Sequence, residues 1–177
     1  MLQEGGSGTR VLAGGTDVII LARERRIDVD TFVDVKHVPE TTALSYNEND
    51  GLTVGAALAL YNVYNDRNVR QHYPSLVDST TVIGGTAIQG RATLGGNLCN
   101  SSPAADSIPT MIALDATASI VGPDGQRDVA VVDFCTGPGQ NVLQNGEFVV
   151  SINFPAQPEN SGAAWQRFIP RNEMDIA

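Results

Sequence analysis

The sequence contains few of the residues that bind metals or form disulfides. Its 177 residues include two cysteines, Cys99 and Cys135, and two histidines, His37 and His72. An iron–sulfur cluster held by one chain needs about four thiolates, so any such cluster must lie on another chain. The histidines are isolated from each other and from any cysteine or carboxylate cluster with ligand spacing. The sequence therefore predicts no metal site in this chain.

Basic residues are also scarce, and long hydrophobic runs are missing. The 20 acidic residues are opposed by ten arginines and one lysine, Lys36, and the formal net charge is −9. This acidic charge, with no long basic stretch, argues against nucleic acid as a partner. No apolar run approaches the roughly 20 residues that span a bilayer, and the first residues lack the order of a signal peptide. We therefore expect a cytoplasmic protein with no membrane span.

The first 55 residues predict a small lobe built on a strand, a helix and a second strand. Residues 10–12 form the first strand, and the glycine turn after them leads into a helix that ends near Arg25. Thr16 suits the N-cap of this helix. Residues 32–35 predict a second strand, parallel to the first because a helix lies between them. Residues 43–46 and 52–55 flank a polar loop with a glycine, which predicts a hairpin.

The remainder, about residues 56–177, predicts a larger mixed α/β lobe. Five glycines between residues 83 and 97, with no amphipathic period, indicate that this stretch forms no regular element. Helices are predicted at residues 60–65, 74–82 and 106–114, a hairpin at 117–121 and 127–131, and strands at 148–154 and 163–168. Together the two lobes predict one α+β domain over residues 1–177, whose 42% hydrophobic content can supply a core.

Two loops carry paired glycines, Gly14-Gly15 and Gly95-Gly96. The Gly-x-Gly-x-x-Gly pattern of a Rossmann dinucleotide site is absent. Paired glycines let a backbone approach a ligand closely and present successive N–H groups, so an uncharged loop can hold a diphosphate without lysine. Each pair alone is equally consistent with a tight turn. Ligand binding is favoured by the polar side chains near them, which are those of Thr16, Thr93, Asn97 and Asp106.

These loops and their flanking residues resemble the FAD-binding, medium subunits of the molybdenum hydroxylases, the family that includes xanthine dehydrogenase and aerobic carbon monoxide dehydrogenase. The first match is Val11-Leu12-Ala13-Gly14-Gly15-Thr16-Asp17-Val18. The second follows in order and spacing through Ile83-Gly84-Gly85, Gly90-Arg91-Ala92-Thr93-Leu94-Gly95-Gly96-Asn97-Leu98 and Ser102-Pro103-Ala104-Ala105-Asp106. Residues 171–177 resemble the segment that leads into a smaller C-terminal domain of such subunits, which is absent here.

The resemblance implies a two-lobed FAD-binding domain of the vanillyl-alcohol-oxidase (PCMH) type, with FAD held without a covalent bond. Residues of the two loops would surround the pyrophosphate, Ile83 would supply an apolar contact, and Asp106 a carboxylate near the cofactor. Arg167 falls where some members have a lysine near the flavin, although the geometry of arginine differs. The implied cofactor-binding residues are Leu12, Ala13, Gly14, Gly15, Thr16, Asp17, Ile83, Thr93, Leu94, Gly95, Gly96, Asn97, Asp106 and Arg167.

The same resemblance implies the role of an oxidoreductase subunit. A molybdopterin-binding subunit would hydroxylate the substrate, an iron–sulfur subunit would relay electrons through 2Fe-2S clusters, and FAD in this chain would pass them to NAD, a quinone or oxygen. No catalytic acid, base or nucleophile is expected in this chain. Two alternatives stay open, a stand-alone FAD-dependent oxidase of the same fold and an interaction domain that has lost its flavin.

Other conspicuous side chains are predicted to serve the fold. Arg91, beside the second loop, is interpreted as a solvated arginine rather than a phosphate ligand. Cys99 and Cys135 are interpreted as small buried side chains. Tyr73 and Trp165 are interpreted as core or lobe-packing residues.

Overall fold

A small βαβ unit comes first in the structure, a computed structural model that describes residues 2–169. β1 (Thr9–Leu12) pairs in parallel with β2 (Thr31–Asp34), from Thr9 opposite Thr31 to Leu12 opposite Asp34. α1 (Val18–Arg23) connects the two strands, and a 3-10 turn (Gly6–Gly8) precedes β1. The predicted parallel pair is confirmed, because a crossover helix returns the chain in the same direction.

The helix of this unit begins without the cap predicted for it. Its N-cap residue is Asp17, whose side chain accepts no hydrogen bond from a helix amide. Thr16 Oγ1 donates to the Asp17 carboxylate at 3.4 Å instead of accepting from the helix. The predicted capping role of Thr16 is therefore wrong, and no side chain covers the amides at the start of α1 within the described residues.

Most of the remaining strands belong to one antiparallel sheet. In chain order they are β3 (Leu44–Asn47), β4 (Gly51–Gly55), β5 (Thr117–Gly122), β6 (Gly125–Ala130), β7 (Cys135–Gly137), β8 (Gln140–Asn141) and β9 (Phe148–Phe154). The main sheet has the order β3-β4-β9-β5-β6, and β7 and β8 pair separately. Both predicted hairpins are confirmed. The first hairpin lies in this sheet, whereas the predicted lobe division places it with residues 1–55.

The sheet is accompanied by helices, most of which share one hydrophobic core with it. They are α2 (Pro39–Thr42), α3 (Leu60–Asn65), α4 (Arg67–His72), α5 (Pro74–Thr81), α6 (Thr86–Gln89), α7 (Leu94–Asn100), α8 (Ser107–Ala113) and α9 (Val131–Phe134). Val54 and Ile152 of the sheet are fully buried in one cluster with Leu76, Leu98 and Met111 of the helices. Each such side chain stabilises the fold by roughly 1.5 to 3 kcal/mol. Within the described part of the chain, no helix is both long and apolar enough to cross a membrane.

The glycine-rich stretch at residues 83–97 contains α6 and the start of α7, where no regular element is predicted. Thr93 caps α7, because its Oγ1 accepts the Gly96 amide at 2.9 Å. The buried Gln89 of α6 accepts the Tyr64 hydroxyl at 3.0 Å and donates to the Thr81 carbonyl at 2.7 Å. Capping and tertiary hydrogen bonds therefore outweigh the low helix propensity of glycine, and that prediction is wrong.

Two further differences lie between the predicted and observed elements. Residues 163–168 form no strand, and Phe168 is 84% exposed, because this segment pairs with no strand of the main sheet. α4 was not predicted, although Asp66 caps it by accepting from Asn68 and Val69 amides at 2.8 and 3.1 Å. The predicted passage at residues 171–177 into another domain lies outside the described residues.

Candidate functional site

A cleft of about 650 Å³ lies between the βαβ unit and the main sheet. Its volume falls within the roughly 300 to 1,000 Å³ typical of small-molecule and cofactor sites. Both glycine loops line it, so the structure brings together residues about 80 positions apart in the chain. The predicted site residues that line the cleft are Ala13, Gly14, Gly15, Thr16, Asp17, Ile83, Thr93, Gly95, Gly96 and Asn97.

Four predicted site residues are not part of this lining. Leu94, the first residue of α7, is fully buried, and Leu12 is half-buried in β1. Asp106 is the N-cap residue of α8, and its main-chain carbonyl accepts Trp165 Nε1 at 3.2 Å. Arg167 is exposed in the irregular segment after β9. A direct ligand contact remains a prediction for these four.

The first loop, residues 13–17, lines the cleft and carries backbone donors without a partner in the described residues. In residues 2–169, no protein acceptor receives the amide N–H groups of Gly14, Gly15, Thr16 or Asp17. Gly15 has φ +79°, a conformation that glycine adopts without strain. Successive unpaired N–H groups form a concave site for an anion. The loop can therefore bind a phosphate or carboxylate group through its backbone alone.

Two cationic side chains donate hydrogen bonds to main-chain carbonyl groups of this loop. Lys36 Nζ donates to the Ala13 carbonyl at 3.0 Å and contacts Asp34 Oδ1 at 2.7 Å. Arg91 Nε donates to the Gly14 carbonyl at 3.1 Å. Arg91 is exposed and does not line the cleft, which agrees with its interpretation as a solvated residue, but this bond also joins the segment before the second loop to the first loop.

The glycine at position 14 is required by this contact between loops. A Cβ atom added there would lie 2.3 Å from the Arg91 carbonyl oxygen and 3.0 Å from Ala92 Cα. Both are backbone atoms, which cannot rotate away as a flexible side chain can. The lack of a side chain at Gly14 therefore allows the first loop to contact the backbone of residues 91 and 92, and it would also allow a ligand to approach the loop.

The second loop uses its own backbone donors within the fold. Gly95 N donates to the Ala56 carbonyl at 3.2 Å, Gly96 N to Thr93 Oγ1, and Asn97 N to the Thr93 carbonyl at 3.0 Å. The expectation that this glycine pair offers successive free N–H groups is therefore wrong. Thr93 and Asn97 of this loop line the cleft, and Asn97 Oδ1 accepts Ser107 Oγ at 2.6 Å.

A third wall of the cleft, residues 139–149, was not predicted. Glu147 lies in it and accepts two hydrogen bonds from Arg127 of β6, from Nε and Nη2, both at 2.8 Å. Arg127 Nη2 also donates to the Val142 carbonyl at 2.9 Å, so the pair closes the loop against the sheet. The sequence gives little indication of this ion pair, because Arg127 and Glu147 are 20 positions apart and each has the pattern of an isolated surface charge.

Acid should remove the contribution of this ion pair to stability. The hydrogen bonds from Arg127 lower the pKa of Glu147 from 4.5 to about 2. The stabilisation is therefore complete above about pH 4.5 and is lost as the pH falls toward 2. In urea unfolding, the advantage of the wild-type protein over Glu147→Gln should shrink between about pH 4.5 and pH 3 and disappear toward pH 2. The free energy of unfolding should depend less on pH in Glu147→Gln and in Arg127→Met than in the wild type. If the free energy of Glu147→Gln instead changed with pH in parallel with the wild type, this assignment would be wrong.

Cys99 also lines the cleft, next to the second loop. Burial raises the pKa of its thiol to about 12, so Cys99 carries no thiolate at neutral pH. Its carbonyl accepts Asn141 Nδ2 at 2.9 Å, which ties the third wall to α7. Within residues 2–169, no group of three or more His, Cys, Asp and Glu side chains is placed to hold a metal ion. The possible donors that line the cleft are thus backbone amides, hydroxyls, amide side chains and the guanidinium of Arg10.

The sequence matches a known family over most of its length. Residues 1–157 match the family described as FAD binding domain in molybdopterin dehydrogenase. A xanthine dehydrogenase FAD-binding subunit of Escherichia coli O157:H7 is 34% identical over 169 residues, and a nicotinate dehydrogenase FAD-subunit of Eubacterium barkeri is 28% identical over 170. These alignments cover 95% and 94% of this chain but 58% and 57% of the relatives. The chain thus spans little more than half the length of these relatives.

Solved structures share the fold. Quinoline 2-oxidoreductase from Pseudomonas putida 86 matches with a TM-score of 0.82 at 28% identity, over 88% of this chain and 54% of that chain. Carbon monoxide dehydrogenase from Hydrogenophaga pseudoflava, in a form that lacks the Mo-pyranopterin moiety, matches with a TM-score of 0.90 at 24% identity, over 97% and 60%. The second likeness concerns the fold alone. Both support the predicted mixture of helices and sheet.

Proposed function

The chain belongs to the family of FAD-binding domains in molybdopterin dehydrogenases, and from this we propose that its cleft binds one FAD without a covalent bond. The observation that carries the proposal is the run of unpaired amides in residues 14–17, which belong to a loop that lines a cleft of cofactor size. A diphosphate needs such donors, and among the described residues that line the cleft Arg10 is the one basic side chain that could supplement them. We further propose that the small unit and the sheet form the two lobes of the PCMH-type arrangement.

The donor set of the cleft fits the parts of FAD. The amides of the first loop would hold the diphosphate, with the hydroxyls of Thr16 and Thr93 and the amide of Asn97 as further donors. The apolar side chains Val18, Leu21 and Ile83 on the same cleft would exclude water from the rings. When bound, the isoalloxazine supplies the redox chemistry, whereas this chain supplies placement and electrostatics. Asp106 and Arg167 remain predicted contacts.

We assign the domain to an electron-transferring oxidoreductase subunit of a cytoplasmic complex. Its relatives are named as FAD-binding subunits and medium chains, which are components of assemblies with several chains. Two cysteines in 177 residues supply too few thiolates for an iron–sulfur cluster of its own. Electrons would therefore reach this chain from 2Fe-2S clusters on an iron–sulfur subunit, after oxidation of the substrate on a molybdopterin-binding subunit.

Denaturation of the purified protein should release all of its flavin. The cleft offers no nucleophile for attachment, because the pKa of Cys99 is raised to about 12 and neither histidine lines the cleft. Acid precipitation followed by absorbance of the supernatant near the flavin maximum measures the released fraction. Yellow colour left on the pellet would contradict non-covalent binding. A purified complex without flavin would favour the interaction-domain alternative.

Tagged protein should co-purify with two other chains, one with iron–sulfur clusters and one with molybdopterin. The expectation follows from the subunit names of its relatives. Metal analysis of the purified complex for molybdenum and iron, with mass spectrometry of its chains, checks it. A protein that runs alone, binds FAD and oxidises a substrate unaided would establish the stand-alone oxidase instead.

A further inference from the structure

We propose, on the basis of the FAD site above, that Lys36 and Arg91 are positioning residues that aim the amides of the first loop at the diphosphate. Lys36 is the single lysine of the chain. It holds the Ala13 carbonyl at 3.0 Å, and Arg91 holds the next carbonyl, that of Gly14, at 3.1 Å. Each cation therefore acts on the ligand through the backbone instead of touching it.

Peptide geometry connects each carbonyl to the following amide. In a trans peptide unit the C=O of one residue and the N–H of the next lie in one plane and point in opposite directions. No peptide bond among the described residues is cis. The bond from Lys36 to the Ala13 carbonyl therefore fixes the direction of the Gly14 N–H. The bond from Arg91 to the Gly14 carbonyl fixes the Gly15 N–H in the same way.

The paired glycines make this support necessary. Glycine has more accessible backbone conformations than any other residue, so a Gly14-Gly15 loop would otherwise lose considerable entropy on binding an anion. Two bonds made before the ligand arrives reduce that cost. A cation on the carbonyl oxygen also polarises the peptide unit, which strengthens its N–H as a donor.

The two cations reach the loop from different parts of the fold. Lys36 follows β2 in the small unit, where Asp34 contacts its Nζ at 2.7 Å and partly neutralises its charge. Arg91 precedes α7, which packs on the main sheet. A lysine already engaged by a carboxylate is poorly suited to bind a phosphate directly, which supports a role through the backbone. The loop is thus anchored to both sides of the cleft that it lines.

The effect can be measured in the purified protein with and without FAD. Arg91→Ala and Lys36→Met should each raise the Kd for FAD by roughly 10- to 100-fold, the loss expected for one hydrogen bond to a charged donor. The slope of log Kd against log salt should stay at its wild-type value, because neither cation contacts the phosphates. In the flavin-free protein, the NMR order parameters of the Gly14 and Gly15 amides should fall from about 0.85 to below about 0.6.

Two matched variants separate positioning from charge. Arg70→Ala removes the same type of bond, from Arg70 Nε to the Tyr64 carbonyl at 2.8 Å, away from the cleft, and should keep the wild-type Kd. Arg91→Gln keeps a neutral donor and should restore most of the affinity lost in Arg91→Ala.

Any of three results would overturn the inference. The first is an unchanged Kd for FAD in Arg91→Ala and Lys36→Met, and the second is unchanged order parameters of the Gly14 and Gly15 amides in these variants. The third is a reduced slope of log Kd against log salt in these variants together with no recovery of affinity in Arg91→Gln. A wild-type protein that binds no FAD refutes the proposed function instead, and the order parameters then still decide whether the cations fix the loop.

Discussion

Gly14→Val should abolish FAD binding and leave the main sheet folded. Any Cβ at position 14 would lie 2.3 Å from the Arg91 carbonyl oxygen and 2.9 Å from its carbonyl carbon, so the two loops must separate. Separation breaks the bond from Arg91 Nε to Gly14 and turns the unpaired amides away from the cleft. Loss of several charge-assisted hydrogen bonds, each worth roughly 1.5 to 3 kcal/mol, corresponds to a Kd at least about 100-fold higher. Flavin fluorescence titration measures Kd, and thermal unfolding reports on the sheet.

The control for this variant is the same substitution at an open glycine. Gly85 lies in the glycine-rich stretch with an extended backbone, and a Cβ there meets nothing within 4 Å. Gly85→Val should therefore keep both the flavin affinity and the melting temperature close to wild type. Full FAD occupancy in Gly14→Val would show that the contact between the loops is not needed for binding.

Gly95→Val should instead destabilise the fold itself. A Cβ at position 95 would lie 2.5 Å from Ala56 Cβ and 2.6 Å from the Ala56 carbonyl oxygen, in the buried seam between α7 and the end of β4. Valine would force α7 away and break the bond from Gly95 N to the Ala56 carbonyl. Overpacking of this kind costs about 1 to 3 kcal/mol, and occasionally more. Urea unfolding should show the loss directly, and flavin binding should weaken along with stability.

This result would show that the two glycine pairs have different roles, although the sequence alone predicts the same role for both. Gly90→Val serves as the control, because the nearest atoms to a Cβ at Gly90 are 3.7 Å away and its φ of −66° suits any residue. If Gly95→Val keeps the wild-type stability but loses FAD, the second glycine pair faces the ligand after all. The packing role derived from the Ala56 contact would then be wrong.

Local patterns were sufficient to predict most elements of the fold. The parallel pair β1 and β2 and the hairpins β3-β4 and β5-β6 depend on turns and periodicities within about 25 residues, and they were predicted correctly. Residues 163–168 have the composition of a strand but pair with no neighbour, and pairing is a property of the tertiary structure. The helix α7 formed against the propensity of its two glycines because Thr93 caps it and Ala56 packs against it.

The residues that line the site could be predicted from the sequence, but the partners of their backbone amides could not. The glycine loops were located from residue types, and the structure places both on one cleft. Which of their amides are free depends on partners far away in sequence. Arg91 is 77 positions from Gly14, and Ala56 lies 39 positions before Gly95. The wall at residues 139–149 contains no motif, and it is held at the cleft by the bonds from Arg127 to Glu147 and from Asn141 to the Cys99 carbonyl.

The strand order of the main sheet has a consequence for synthesis of the chain. β9, the last strand in the part of the chain that the structure describes, occupies the central position and pairs with both β4 and β5. Until residue 154 leaves the ribosome, the two hairpins each expose an unpaired edge, and the sheet cannot close. Because β4 meets β9 across roughly 100 residues, this closure is entropically slow, whereas the βαβ unit can form from local contacts as soon as it emerges. The nascent chain should therefore depend most on chaperones between the synthesis of β4 and that of β9, when exposed strand edges favour aggregation.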